Sequence, residues 1–361
     1  MNNDNFNIGK YIEELDSSIK MEKKDFDIDK YIKKQKKKLM PPLRVASMFA
    51  GCGGLDYAFH YHNVSEVFIP SFKIVYVNDF DKDSCQTYHQ YYGIKPECED
   101  ITKIKTIPDC DVLTGGFPCQ GFSVANVYRD ETDNRNKLYL ELVRLLRDKK
   151  PSYFIFENVK GILSLGGYET AEDKKNRRGK VFKMIVSDLE SCGYRVHTKL
   201  FKMKWYNIPQ NRERVIFIGI RNDISEKIHF EWPEEKKEIT NTLRDAIEDY
   251  PIEYDPEIQH IGTKHKVKIT GYMGNRKLNW DDVSPTITGR GGGTGGPVIN
   301  VHPSGERRMT VREYAAIQTF PDDFMFCGSI SSMYRQIGNA VPPAFSEILA
   351  ELIYKINNQL K

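Results

Sequence analysis

From Leu43 onward, short apolar runs alternate with amphipathic helical patterns, and that alternation leaves few folds open. The runs are LRVASMF (43–49), KIVYVN (73–78), DVLTGG (111–116), SYFIFEN (152–158), YRVHTKLF (194–201) and RVIFIGI (214–220). Each has the length and the β-branched or aromatic content of a strand. Residues 137–149 and 180–192 repeat apolar side chains at three-to-four spacing, which predicts helices with one buried stripe. Strands interleaved with helices imply a mostly parallel sheet covered on both faces. The expected fold is α/β. The alternation stops after Ile220, and 221–306 is richer in Gly, Pro, Lys and His, reading as a small irregular lobe. Helical patterns return at 310–319 and 342–356 and close the main domain. The predicted organisation is an extension over 1–42, a main domain over 43–220 and 307–361, and the lobe over 221–306.

The extension carries a loose repeat, FNIGKYIEELD (6–16) and FDIDKYIKKQK (26–36), ending in a lysine run. Ile8, Tyr11 and Ile12, like Ile28, Tyr31 and Ile32, stand at i, i+3, i+4, so each copy reads as a short helix with one apolar face. A solvated tail and a clamp onto phosphate or onto the chain's own body are both open. Over 361 residues the net charge is only +3, so any basic surface must be local. The seven cysteines form no CxxC pair and no Cys/His cluster, which argues against a metal site or a disulfide framework and fits a reducing cytoplasm. No apolar run approaches the ~18 residues of a membrane span, and no signal-peptide core stands at the N-terminus. A cytoplasmic protein with no membrane and no metal is expected.

Three stretches carry chemistry. FAGCGGLD (49–56) ends the first strand, and its glycines at 51, 53 and 54 let the backbone turn tightly against a ligand. The second strand ends in VNDFD, where Asp79 is placed to accept from ribose hydroxyls and Phe80 to stack on adenine; Asp79 as a helix N-cap is the plainer alternative. Asp100 and Ile101 follow the third element and are placed for the adenine amino group. Together these suggest an adenosine-containing cofactor, while the absence of a full GxGxxG and of GxxxxGK[ST] argues against dinucleotides and ATP. TGGFPCQGFSVAN (114–126) sets Cys119 after Pro118 at a strand exit, either as a buried thiol or as a nucleophile. Ser123, Arg129 and Arg135 on the following polar loop are available for phosphate. Glu157 ends the fourth run as a candidate acid at the sheet's carboxyl edge. Arg212 and Arg214 lie two apart, so on an extended segment one is expected to bind a carbonyl oxygen while the other braces the carboxylate or a phosphate.

FAGCGG, GGFPCQGFS, ENVKG, QNRERV, RRMTVREYAAIQTFPDDF and YRQIGNAVPP stand in the order found in cytosine-C5 DNA methyltransferases of the bacterial restriction–modification type. The chain resembles that family from about Leu43 to its C-terminus. The resemblance implies a Rossmann-like methyltransferase sheet with a small target-recognition lobe. It also implies methyl transfer from S-adenosylmethionine to C5 of a flipped-out cytosine in a specific short double-stranded DNA site. In the family mechanism Cys119 adds to C6, Glu157 acts at N3, Arg214 holds O2 with Arg212 supporting it, Pro118 walls the pocket and Asn158 orients the glutamate's loop. The cofactor positions matched are Phe49, Gly51, Cys52, Gly53, Asp79, Phe80, Asp100, Ile101, Asn339 and Ala340. Cys52 takes a slot usually apolar in the family. DNA contacts are expected from Gln120, Ser123 and Arg129 and, in the lobe, from Lys264, Lys266, Lys268, Arg276, Lys277 and Arg290. A cognate restriction endonuclease is the implied partner. The alternative within the resemblance is a tRNA cytosine-C5 methyltransferase.

Overall fold

Each expected strand forms, and a short additional one joins them. A computed structural model of the chain describes residues 41–64, 69–118, 137–263, 267, 269, 276–289 and 300–360. The doubled N-terminal segment lies outside the described residues. Residues 42–64 and 70–361 form one compact unit. Its main strands are β1 (Leu43–Met48), β2 (Phe72–Asp79), β3 (Glu97–Cys98), β4 (Val112–Gly115), β5 (Tyr153–Val159), β6 (Tyr194–Lys202) and β7 (Glu213–Arg221). Its principal helices are α1 (Tyr57–Tyr61), α2 (Lys82–Tyr92), α3 (Lys137–Lys149), α4 (Lys180–Ser191), α5 (Val311–Ile317), α6 (Ile330–Asn339) and α7 (Pro343–Asn358).

The strands make one seven-stranded sheet in the order β3-β2-β1-β4-β5-β7-β6. Neighbours from β3 to β5 pair parallel, whereas β7 runs antiparallel between β5 and β6. The chain moves outward from β1 to β3, then returns to the other side of β1 with β4. That reversal opens a crevice beyond the carboxyl ends of β1 and β4, where open α/β sheets bind ligands.

Alternation along the strands sends their side chains to two separate cores. Val45, Tyr153, Ile155, Ile216 and Ile218 face one way, against Phe59 of α1 and Phe345, Leu349 and Ile353 of α7. Ala46, Phe154, Phe156, Val215 and Phe217 face the other way, against Leu142 and Leu146 of α3 and Phe182 and Ile185 of α4. A third core lies apart from the sheet. There Leu243, Ile247, Leu278 and Ile287, from the expected lobe, pack with Tyr314 and Ile317 of α5, Ile337 of α6, and Cys52. The helical pattern at 310–319 therefore folds as expected but buries its apolar face with residues of the 221–306 segment. A capping box starts it: Thr310 Oγ1 accepts from Glu313 N at 3.1 Å and Glu313 Oε2 accepts from Thr310 N at 2.8 Å.

Gly219 shows how closely the sheet is fitted. It pairs with Phe154, and a Cβ at Gly219 would stand 1.9 Å from a ring carbon of that residue. The ring is itself held among Phe156 and Tyr194, so it has nowhere to go. Gly219→Ala is expected to lower stability by about 1–3 kcal/mol through overpacking; a chemical-denaturation midpoint equal to the parent's would contradict this.

Candidate active site

The glycine turn after β1 is held by backbone geometry and one carboxylate. Phe49, Gly51 and Gly53 all have positive φ, at 53°, 57° and 91°. Gly51 N donates to Asp79 Oδ2 at 2.8 Å, and Asp81 N donates to Asp79 Oδ1 at 2.8 Å. Burial pushes the Asp79 carboxyl pKa upward and these two amides oppose the shift. The N-cap of α2 is Asp81, which accepts from Ser84 N, so Asp79 is left facing the turn.

The β2–β3 pairing brings the rest of the expected cofactor rim to Asp79. Asn78 Nδ2 donates to the carbonyls of Glu97 and Glu99, both at 2.8 Å, and the Cys98 thiol reaches Phe80 O. Phe80 is 73% exposed, an uncovered ring at the mouth of the crevice. Ile101 is buried, and Asp100 caps its short 3-10 turn through Thr102 N at 2.9 Å. Those two hydrogen bonds from Thr102, backbone and side chain, hold the Asp100 carboxyl below its ordinary range.

Cys52 keeps the apolar character of its slot. Its side chain is buried in the third core, and burial pushes the thiol up to about 12. It therefore offers the crevice only backbone, which is why a small, buried-prone residue is accepted there. Asn339 and Ala340 close the other side. Gly54 abuts Ala340 and the Val341 carbonyl, and a Cβ at Gly289 would stand 1.7 Å from Asn339 Oδ1. Asn339 thus sits between the neighbours of the glycine turn and Gly289 of the 221–306 segment.

The expected catalytic residues among those described stand on β4, β5 and β7 or beside them. Gly115 of β4 pairs with Phe156 of β5, which sets Gly116 beside Glu157. A Cβ at Gly116 would lie 3.3 Å from Glu157 Oε2. Glu157 Oε1 lies 2.5 Å from Arg214 Nε, in ion-pair contact but without hydrogen-bond alignment, since that Nε has no hydrogen-bond partner among the described residues. Both side chains are close to nine-tenths buried. Asn158 Nδ2 donates to Phe117 O at 3.0 Å, which ties the end of β5 to the turn that carries exposed Pro118. Asn158 so orients the turn as much as the glutamate. Cys119, Gln120, Ser123, Arg129, Lys264, Lys266, Lys268 and Arg290 lie outside the described residues. Arg276 and Lys277 are exposed.

Arg212 is the correction. The spacing of two places it on the face of Arg214, yet among the described residues it pairs with no carboxylate. It is 0% exposed and donates to three carbonyls: Ile287 O at 2.8 Å, Gly338 O at 3.0 Å and Ala340 O at 2.8 Å. The strand is interrupted at this residue. Gln210–Asn211 pairs with Ser284–Pro285 and β7 starts only at Glu213, so Arg212 lies at the break between two paired stretches, where carbonyls from other segments meet it. Burial, aided by Arg214, lowers the Arg212 pKa well below its ordinary value, against the pull of Glu157. Sequence reasoning also missed Gln210 and Gln318. Gln210 Oε1 accepts from Ile287 N, its amide reaches Gln318 Oε1, and Gln318 Nε2 donates to Ile337 O at 2.7 Å. The only sequence signal was their presence inside two of the quoted blocks.

With this geometry in place, comparison with known proteins is decisive. The C-5 cytosine-specific DNA methylase family model matches residues 43–355. The chain belongs to that family. It is 35% identical to the type II methyltransferase M.BsuRI of Bacillus subtilis, over 92% of this chain and 81% of the relative. It is 34% identical to M.NgoFVII of Neisseria gonorrhoeae, over 87% of each chain. In fold it resembles a DNA modification methyltransferase from an Escherichia coli prophage (TM-score 0.64, 21% identity, 88% of this chain and 99% of that one). It also resembles the Schizosaccharomyces pombe Dnmt2 methyltransferase (TM-score 0.61, 20% identity, 88% and 100%). The chain is a DNA cytosine-C5 methyltransferase, and the match favours this over the RNA alternative. Among the described residues, no helix is long and apolar enough to cross a membrane, and no group of three His, Cys, Asp or Glu could hold a metal.

Two stability effects follow for this methyltransferase. Arg212→Ala takes the guanidinium donor from Ile287 O and Gly338 O, while Ala340 O keeps Gln318 Nε2 at 3.2 Å, and should cost about 2–4 kcal/mol in urea unfolding; a cost near zero would show that the guanidinium braces nothing. The second concerns Asp56, fully buried beneath the glycine turn, which accepts from Ser47 Oγ at 2.8 Å and Tyr88 Oη at 3.0 Å. Burial raises its carboxyl pKa from 3.8 to about 6. The folded state then binds the proton more tightly than the unfolded one. Its stabilisation is complete below the unfolded value and is lost as pH rises through the folded one, on the order of 1–3 kcal/mol. Asp56→Asn should remove that loss, so its unfolding free energy should fall less than the parent's between pH 4 and 6.5. Parallel profiles for the two proteins would refute it.

Proposed function

We propose that the chain is the modification half of a type II restriction–modification system, methylating C5 of a flipped-out cytosine within a specific short duplex site. S-adenosylmethionine is the methyl donor in this reading. The observation that carries it is the Glu157–Arg214 pair, one carboxylate oxygen 2.5 Å from the guanidinium and the other opposite Gly116, beside the turn that leads through Pro118 to Cys119. The type II designation of its relatives supports the modification role and a cognate endonuclease acting on the same site.

Cytosine C5 is too weak a nucleophile to take a methyl group unaided. The Cys119 thiolate adds to C6, and Glu157 supplies a proton at N3 so that the ring becomes an electron-rich enamine. Arg214 holds O2 and keeps Glu157 in place. After methylation, a base removes the C5 proton and the thiolate leaves, which restores the C5–C6 double bond. C6 is unreachable inside the stack, so the base must leave the duplex at a cost of a few kcal/mol, offset by the hydrogen bonds of the pocket.

The residues present fit S-adenosylmethionine: a buried carboxylate at the strand end, an uncovered aromatic ring, and a polar N-cap beside a buried isoleucine, all at the sheet's switch point. When bound, that group supplies an electrophilic methyl. Asp79 would accept from its ribose hydroxyls, Phe80 would stack on its adenine, and Asp100 with Ile101 would meet the adenine edge. Phe49, Gly51, Gly53, Asn339 and Ala340 would line the remainder. The 221–306 segment is the reader of sequence, with Arg276 and Lys277 exposed for phosphate or base edges.

Glu157→Gln should lower methyl incorporation by about 10²–10⁴-fold, the range of a lost general acid, with the fold intact. Cys119→Ser should also lose the covalent complex formed on 5-fluorocytosine duplexes. A trapped peptide lacking Cys119 would end the mechanism. Bisulfite sequencing of DNA from expressing cells reads out the modified site.

A further inference from the structure

Outside the crevice, the segment between β5 and α4 carries a dense group of cations that no anion answers. Lys174, Lys175, Arg177 and Arg178 are exposed, and none makes an ion pair or a side-chain hydrogen bond among the described residues. The acids beside them are largely engaged: Glu169 and Asp173 both hold Lys183, and Glu172 takes the amide of Asn176. Four unsatisfied positive charges over five residues repel one another, and a merely solvated loop gains nothing by being ordered around them.

This loop is ordered. A short helix, Ala171–Asn176, starts in a capping box in which Thr170 Oγ1 accepts from Asp173 N at 3.0 Å. Arg177 ends it at φ +54°, a left-handed conformation seldom taken by an arginine. Arg178 N then returns to Asp173 O at 2.8 Å, Gly179 N to Leu163 O at 2.8 Å, and Lys180 N to Gly167 O at 2.9 Å. Gly179 is needed at the base, because a Cβ there would meet Leu165 O at 2.9 Å. The backbone thus presents the cations from a pinned platform.

Topology fixes where the platform stands. It leaves β5 two residues after Glu157 through the turn Lys160–Leu163 and returns at the first residue of α4. It therefore lies at the carboxyl edge of the sheet, the edge at which Glu157 and Pro118 open. A duplex whose target base reaches Glu157 must lie along this edge. B-DNA carries one charge per ~1.7 Å of its axis, so its flanks present phosphates well beyond the flipped base.

We propose that Lys174, Lys175, Arg177 and Arg178 grip backbone phosphates of duplex DNA flanking the target site, from the catalytic side and independently of the reading segment. The proposal rests on the reading above that the substrate is a duplex with its cytosine flipped to Glu157. Phosphate contacts position the duplex and carry no sequence information. The grip sets affinity and salt dependence and leaves the modified site unchanged.

The test uses the full chain, a labelled duplex of arbitrary sequence about 30 bp long, and binding measured from about 50 to 200 mM KCl. In K174Q/K175Q/R177Q/R178Q the slope of log affinity against log salt should become shallower by about 2–4, at roughly 0.9 for each phosphate no longer neutralised. Affinity at about 50 mM salt should fall tenfold or more. The site mapped by bisulfite sequencing and the rate at saturating DNA should stay at parental values. The charge-keeping variant K174R/K175R/R177K/R178K should keep the parental slope. A folded quadruple glutamine variant with an unchanged slope overturns the proposal, as does a lost slope in the charge-keeping variant. Should the quadruple variant fail to fold, the four single glutamine variants replace it, and parental slopes in all of them overturn it equally. Failure of the underlying reading looks different: the parent itself would place no methyl group in any duplex.

Discussion

A fully buried guanidinium, with no carboxylate partner among the described residues, ties the parts of the candidate site together. Arg212 spends its donors on the carbonyls of Ile287, Gly338 and Ala340, segments separated by up to 128 residues from it in sequence. Removing such a charge from water is costly, and only fixed dipoles at hydrogen-bond distance make it tolerable. The three carbonyls are therefore constrained to converge, and Gln210 and Gln318 add two buried amides to the same convergence. Two residues further on, Arg214 takes Glu157. The strand that carries the ion-pair partner of Glu157 is thus anchored at its start to Ile287 within the 221–306 segment and to Gly338 and Ala340 on either side of Asn339.

This anchoring explains how a site drawn from distant parts of the chain acquires definite geometry. β1 and β4 open the crevice by the reversal of strand order, and each contributes one turn to its mouth. The β1 turn is fastened to β2 through Asp79, and the β4 turn to β5 through Asn158. The antiparallel β7 supplies Arg214 to the far side. Each fastening is a side chain bonded to backbone, so the rim positions follow the sheet rather than solvent-exposed loops.

Much of this was legible in the sequence, for identifiable reasons. Strands at 152–158 and 214–220 are nearly continuous apolar runs because both faces of the sheet are covered, and Phe154 and Ile155 do enter opposite cores. The grouping of Asp79, Phe80, Asp100 and Ile101 was readable because consecutive strand ends in a parallel sheet share one edge. The carbonyl partners of Arg212 were not readable, because Ile287, Gly338 and Ala340 are brought to it from segments far away in sequence. Helix α6 went unforeseen, since its serines and Gly338 weaken the local helical signal and its stability comes from Met333, Tyr334 and Ile337 in the third core. Nothing local marks Gly116 or Gly289 as contact points either. Their meaning depends on what another segment brings against them.

The third core couples the 221–306 segment to the glycine turn. Leu243, Leu278 and Ile287 share one packed interior with Cys52, which belongs to the turn below the methyl donor's expected seat. An altered volume at any of them is transmitted to that turn, because a close-packed interior has no slack to absorb it. A volume change on the solvent side of the segment escapes that coupling, whereas one in its interior needs a matching change across the core to leave the glycine turn where it is.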